Sequence, residues 1–244
     1  MGALTKANIK NIFHFSPLHY LPYILNSQSI QSKAKLRMAG FEPSHFRSTS
    51  RGQDARRGFE EYVHMTPENF PPILMAKLKK GFPHICISVV SAYIEQQNYH
   101  LCRYNIAKTR ALRKNGKSGH QESLENGRYY GSKQIPIAVT EEDKAAMTTA
   151  AQKHNIMIEV LIPEELPLPK DLSIVCYSRN DAAIAEKIVS RFNLKYNVSE
   201  TSPEIAPEIA YVPNSIYVAQ VTEFVDRLMA DPAWKGNGLE FDRV

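Results

Sequence analysis

Glu159 is the single charge in the apolar run Ile156-Met157-Ile158-Glu159-Val160-Leu161-Ile162. If that run is a strand, alternation puts Glu159 on one face with Met157 and Leu161. A carboxylate is expensive to bury without partners, so that face is a cleft, a paired site or an exposed edge. In the first two cases it could serve as a base or stabilise developing positive charge. His14 has the same character: it stands in the short apolar segment Asn11–Phe15 (NIFHF), closely followed by Ser16. It suits either a ligand contact or a core histidine satisfied by the backbone.

Two stretches could bind anions. Between residues 28 and 58, seven bases (Lys33, Lys35, Arg37, Arg47, Arg51, Arg56, Arg57) face only Glu42 and Asp54. A guanidinium fork matches phosphate geometry. Between Tyr99 and Gln121, six bases (Arg103, Lys108, Arg110, Arg113, Lys114, Lys117) occur with no acid, and Tyr99, Tyr104, Tyr129 and Tyr130 flank or interleave them. Phosphates and unpaired bases suit that mixture of cations and rings, as does a plain solvated loop.

Charge is also uneven along the chain. The whole chain carries +5, but residues 196–244 hold eight acids and three bases, net −5, which leaves +10 on residues 1–195. A polyanion-binding body with an acidic extension is one reading and a surface bias the other.

Other chemistries lack their signatures. There is no CxxC or HxxxH, and the three cysteines Cys86, Cys102 and Cys176 are far apart. Neither a metal site nor a disulfide framework is expected. GxGxxG and GxxxxGK[ST] are absent, as is the nucleophile elbow, so Rossmann, P-loop and serine-hydrolase readings lose their support. With 244 residues, 43% of them hydrophobic, and no apolar run near the length of a membrane helix, the expectation is a folded, non-membrane, cytoplasmic protein.

The elements that must position these residues follow from pattern. Strands are predicted at 11–15, 62–66, 84–90, 156–162 and 172–177. Helices are predicted near 20–26, from Pro67 to about Lys80, from a Thr140-x-x-Asp143 cap to Asn155, from an Asn180 cap through Phe192, and at 217–230. Residues 28–58 read as a long loop and 95–134 as a second polar stretch. The fold class is α+β.

Three segments resemble the DarT family of bacterial toxin ADP-ribosyltransferases that act on DNA bases. The opening Ile12–Leu25 (IFHFSPLHYLPYIL) is similar to that family's His-x-Thr…Asn-Leu-Pro-x-Ile-Leu. Glu61-Tyr62-Val63-His64-Met65, after an Arg-rich loop, resembles its Asp-Tyr-Val-Pro-Phe strand. Ile158–Leu168 (IEVLIPEELPL) resembles its Gln-Ala-Glu-Phe-Leu-Val segment. Departures include Tyr20 for Asn, Ser16 for Thr and Ile158 for Ala.

The resemblance spans about residues 11–195 and implies an ADP-ribosyltransferase-like domain over 1–195. That domain would have two small packed β-sheets flanked by helices, with an acidic C-terminal extension, 196–244, packing on it. It implies Glu159 as the catalytic glutamate with Arg51 gripping the NAD co-substrate, Arg47, Arg56 and Arg57 being the fallbacks. His14, Phe15, Ser16, Tyr20, Arg47, Tyr62 and His64 would contact NAD. Arg103, Lys108, Arg110, Arg113, Lys114, Lys117, Tyr129 and Tyr130 would contact single-stranded DNA. A DarG-like macrodomain antitoxin and a monomeric state are further implications. The same chemistry on RNA, a protein-modifying transferase, a stand-alone NAD hydrolase and an inert nucleic-acid-binding module are the rivals.

Overall fold

Runs of β-branched and aliphatic residues four to seven long become strands, and longer polar-apolar mixtures become helices. The computed structural model describes residues 2–40, 59–68, 72–103, 128–129, 136–154, 158–200 and 214–231. In chain order these form α1 (Ala3–Lys6), β1 (Asn11–Pro17), a 3-10 turn (Leu18–Tyr20), α2 (Leu21–Ser27), β2 (Ser29–Gln31) and α3 (Lys33–Met38). Then come β3 (Tyr62–Met65), α4 (Pro72–Leu78), β4 (His84–Val90), α5 (Ser91–Ile94), β5 (His100–Arg103), β6 (Arg128–Tyr129) and β7 (Pro136–Ala138). The chain continues through α6 (Glu141–His154), β8 (Ile158–Pro163), β9 (Glu165–Pro167), β10 (Ser173–Cys176), α7 (Arg179–Arg191), β11 (Asn197–Glu200) and α8 (Ser215–Ala230).

The chain divides into two units. The first comprises Met1–Ile12, Gln31–Glu68 and Val90–Leu166. Its frame is a five-stranded sheet in the order β3-β8-β5-β7-β6, whose paired strands run antiparallel. Phe59, Tyr62, Cys102, Ile137 and Leu161 form a buried cluster on it. α6 packs on β5 and β7 and against α1. The Thr140 hydroxyl accepts from Asp143 N–H at 3.2 Å and donates to the Asp143 carboxylate at 2.7 Å, fixing the start of α6 as the spacing predicts. Glu95 ties down the N-terminal segment by accepting from Gly2 N–H, Thr5 N–H and the Thr5 hydroxyl.

The second unit comprises Phe13–Ile30, Asn69–Val89 and Pro167–Val244. Its sheet runs β1-β4-β10-β11. β10 and β11 are parallel, which demands a crossover, and α7 supplies it. Leu74, Leu78, Cys86 and Tyr177 form its apolar cluster, with Phe13, Phe15 and Val175 packed against them. α8 buries Val221, Phe224, Val225 and Leu228. The Phe224 ring stacks on Tyr23 at 6.2 Å, and Asp226 pairs with Lys187 of α7.

Several expectations need correction. The first part of the predicted 28–58 loop holds β2 and α3. At three and six residues these are too short to show periodicity, and α3 buries no side chain. Its N-cap is Ser32, whose hydroxyl accepts from Lys35 N–H. The predicted polar stretch 95–134 includes the buried strand β5. The helix placed from Pro67 runs instead over Pro72–Leu78, ahead of Gly81 at φ 73°. Ser178 rather than Asn180 caps α7, because the Ser178 hydroxyl accepts from Asp181 N–H. All three cysteines are buried thiols. No helix among the described residues is long and apolar enough to cross a membrane.

Candidate active site

Glu159 is placed by the apolar character of its own strand. β8 lies between β3 and β5, so both its edges are hydrogen-bonded and its residues from Ile158 to Ile162 are buried. Glu159 is 7% exposed, which removes the exposed-edge reading and leaves a partnered carboxylate. Register supplies the partners. Cys102 of β5 stands opposite Glu159, and His64 of β3 stands opposite Leu161, two residues along on the same face. Diagonal cross-strand neighbours are within reach when the side chains are long. His64 Nδ1 lies 3.0 Å from Glu159 Oε1.

The far side of the same ring is also held: Nε2 is 2.9 Å from the Phe59 carbonyl oxygen, and Phe59 is itself buried. The carbonyl can only accept, so Nε2 carries a hydrogen. Nδ1 and Oε1 then need one further proton between them to make their contact. The same face carries His100, whose ring lies 5.8 Å from that of Tyr62. Burial, assisted by the Lys144 ammonium, pushes the His100 imidazole below its ordinary range and favours its neutral form. This unit therefore holds a carboxylate hydrogen-bonded to an imidazole, on a sheet face shared with Tyr62, His100, Cys102 and Leu161. Such a group can stabilise positive charge or take a proton.

Tyr62, expected as an NAD contact, is packed in the apolar cluster with Phe59, Cys102, Ile137 and Leu161. His64, also expected there, makes the contact to Glu159 just described. The remaining NAD candidates with described side chains lie in the second unit. His14 is half-buried on β1, on the same face as the buried Ser16, by strand alternation. Phe15 packs against the Leu74, Leu78, Cys86 and Tyr177 cluster. Tyr20 is buried, its hydroxyl pushed up by desolvation and by Tyr23. Arg103 and Tyr129 lie on β5 and β6. Arg47, Arg51, Arg56, Arg57, Lys108, Arg110, Arg113, Lys114, Lys117 and Tyr130 lie outside the described residues. No group of three His, Cys, Asp or Glu side chains that could hold a metal occurs among the described residues.

Sequence reasoning misses the Phe59 carbonyl and the pairing of His64 with Glu159. The available signal is that each of the two side chains is a lone polar group in an apolar strand. Nothing short of strand order and register could join them.

The order of elements and the sheets they form are α+β, as expected from the sequence, and the same fold occurs in solved structures. Among solved structures, the chain is similar to Thermus sp. 2.9 DarT in complex with ADP-ribosylated ssDNA. The TM-score is 0.54 at 12% identity, covering 80% of this chain and 95% of that one. It is similar to the same protein in complex with NAD+ at TM-score 0.52 and 12% identity, covering 79% and 95%. For the carba-NAD+ complex the TM-score is 0.50 at 11% identity, covering 80% and 96%. No protein-family model matches the sequence, and no curated protein matches it.

Proposed function

We propose that this protein is an NAD-dependent ADP-ribosyltransferase that modifies a nucleobase in single-stranded DNA, with Glu159 as its catalytic carboxylate. The observation that carries the reading is the buried, partnered Glu159 on an interior strand of a sheet, in a fold similar to a DarT bound to NAD+ and to ADP-ribosylated ssDNA. Breaking the nicotinamide–ribose bond, with its electron pair leaving on nicotinamide, develops positive charge on the ribose as in glycoside cleavage. The Glu159 carboxylate, hydrogen-bonded to the ribose 2′-hydroxyl, stabilises that charge. A ring or exocyclic nitrogen of the base bonds to the anomeric carbon, and its proton passes to the Glu159 carboxylate. His14, Ser16 and Tyr20 are assigned to NAD by the resemblance, as is Arg51. The wider implications are a cytoplasmic toxin restrained by a macrodomain antitoxin, with catalytic domain 1–195 and acidic extension 196–244.

Mass spectrometry of single-stranded DNA and RNA oligonucleotides after incubation with protein and NAD tests the reading. One added ADP-ribose on DNA, absent with Glu159→Ala, is the expected result. Modification of RNA alone would move the target, and no adduct with either polymer would overturn the reading.

The acid-free basic run between Tyr99 and Gln121 supports polymer binding there. Reversing Arg110 and Arg113 to Glu is expected to weaken binding of a single-stranded oligonucleotide at least tenfold. It should also lower the slope of log affinity against log salt by about 1.4, which is about 0.7 for each of two phosphates no longer neutralised. Fluorescence anisotropy across a salt series measures both, and an unchanged slope would place the nucleic-acid site elsewhere.

A further inference from the structure

We propose that His64 is the positioning residue for Glu159: its doubly protonated ring, clamped between the Phe59 carbonyl and the carboxylate, holds Glu159 in its working rotamer. The proposal rests on the transferase reading for its effect on rate, though not for its proton placement.

Both ring nitrogens are engaged, Nδ1 to Glu159 Oε1 at 3.0 Å and Nε2 to the Phe59 carbonyl at 2.9 Å. A ring held at both ends cannot rotate without giving up one bond, so its position transmits that of the buried Phe59 backbone to the carboxylate. A bare Nδ1 lone pair facing an ionised Oε1 at that distance would be repulsive. The Nδ1 proton is therefore what closes the contact. It can exchange with water through His64, whose side chain is 20% exposed against 9% for Glu159. The strand this one resembles carries proline at that position, which has no side-chain donor. The device belongs to this chain's own residues.

Raising pH removes the Nδ1 proton and releases the carboxylate, so rate falls on the alkaline side. Other titratable groups on the packed elements are Tyr62 on β3, His100, Cys102 and Arg103 on β5, and Lys33, Lys35 and Arg37 on α3. Lys35 and Arg37 are paired with Glu165 and Glu60. His100 favours its neutral form through burial and Lys144, so it loses its charge on the acid side and does not set an alkaline limb.

The test uses the full chain, NAD and a single-stranded DNA oligonucleotide, with nicotinamide release followed across pH. In His64→Asn the amide nitrogen stands where Nδ1 did and donates to Oε1 at every pH. This variant is expected to keep kcat within about threefold of wild type at neutral pH and to lose the alkaline limb. His64→Ala is expected to lose about 30-fold in kcat with KM for NAD within about twofold. An alkaline limb that persists in His64→Asn belongs to another group and overturns the proposal, as does a His64→Ala kcat within about threefold of wild type. If His64→Ala does not fold, the His64→Asn profile decides. A wild-type protein that releases no nicotinamide sinks the transferase reading instead. Nitrogen-15 NMR of the His64 ring then judges the proton placement. Retention of the doubly protonated ring to higher pH in wild type than in Glu159→Gln supports it, and identical titrations overturn it.

Discussion

On the proposed transferase reading, Glu159→Gln is expected to reduce nicotinamide release to about a thousandth of the wild-type rate or below, while the protein keeps its fold. The amide preserves the volume of the side chain and its place opposite Cys102, so the strand packing of β8 is undisturbed. What it loses is the negative charge, and with it, in the proposed mechanism, both the stabilisation of a cationic ribose and the capacity to take a proton from the attacking base. Because the side chain is almost excluded from water, solvent cannot substitute for it. Single-turnover kinetics with matched circular-dichroism spectra provide the check. A folded Glu159→Gln or Glu159→Ala with near wild-type rate would remove Glu159 from the mechanism, and the candidate site with it.

The largest expected stability effect lies in the second unit. Phe224→Ala is expected to destabilise the protein by about 3–5 kcal/mol, the range for emptying a buried aromatic site. In a chain of this size that lowers the melting temperature by about 10 °C. Phe224 is 1% exposed and stacks on Tyr23, and its neighbours Val221, Val225 and Leu228 are buried alongside it on α8. Ile216 on the same helix is 55% exposed, so Ile216→Ala serves as the internal control with a change near zero, within about 0.5 kcal/mol. A melting temperature unmoved by Phe224→Ala would mean that α8 does not fold cooperatively with α2 and α7. A full drop would make the acidic extension a structural part of the second unit rather than a detachable tail.

How much of the fold is legible in the sequence depends on the range of the interaction. β1, β3, β4 and β10 are readable because each is an apolar run whose burial is decided by its own residues. The Thr140–Asp143 cap is readable because both partners lie within one helical turn. β2 and α3 are not, since three and six residues carry too little period. The cap of α7 is ambiguous in sequence because Ser178 and Asn180 are both good capping residues, and only backbone geometry chooses Ser178.

The candidate site divides along the same line. That Glu159 must be special follows from its isolation in an apolar strand, since the penalty for burying an unpartnered carboxylate is a property of the residue and its neighbours in sequence. Its type and its strand are legible there, while the choice among cleft, paired site and exposed edge is not. That its partner is His64, 95 residues away, held in turn by the Phe59 carbonyl, is decided by the antiparallel register of β3 on β8. Register is a long-range property: a shift of one residue would turn His64 to the opposite face and break its contact with the carboxylate.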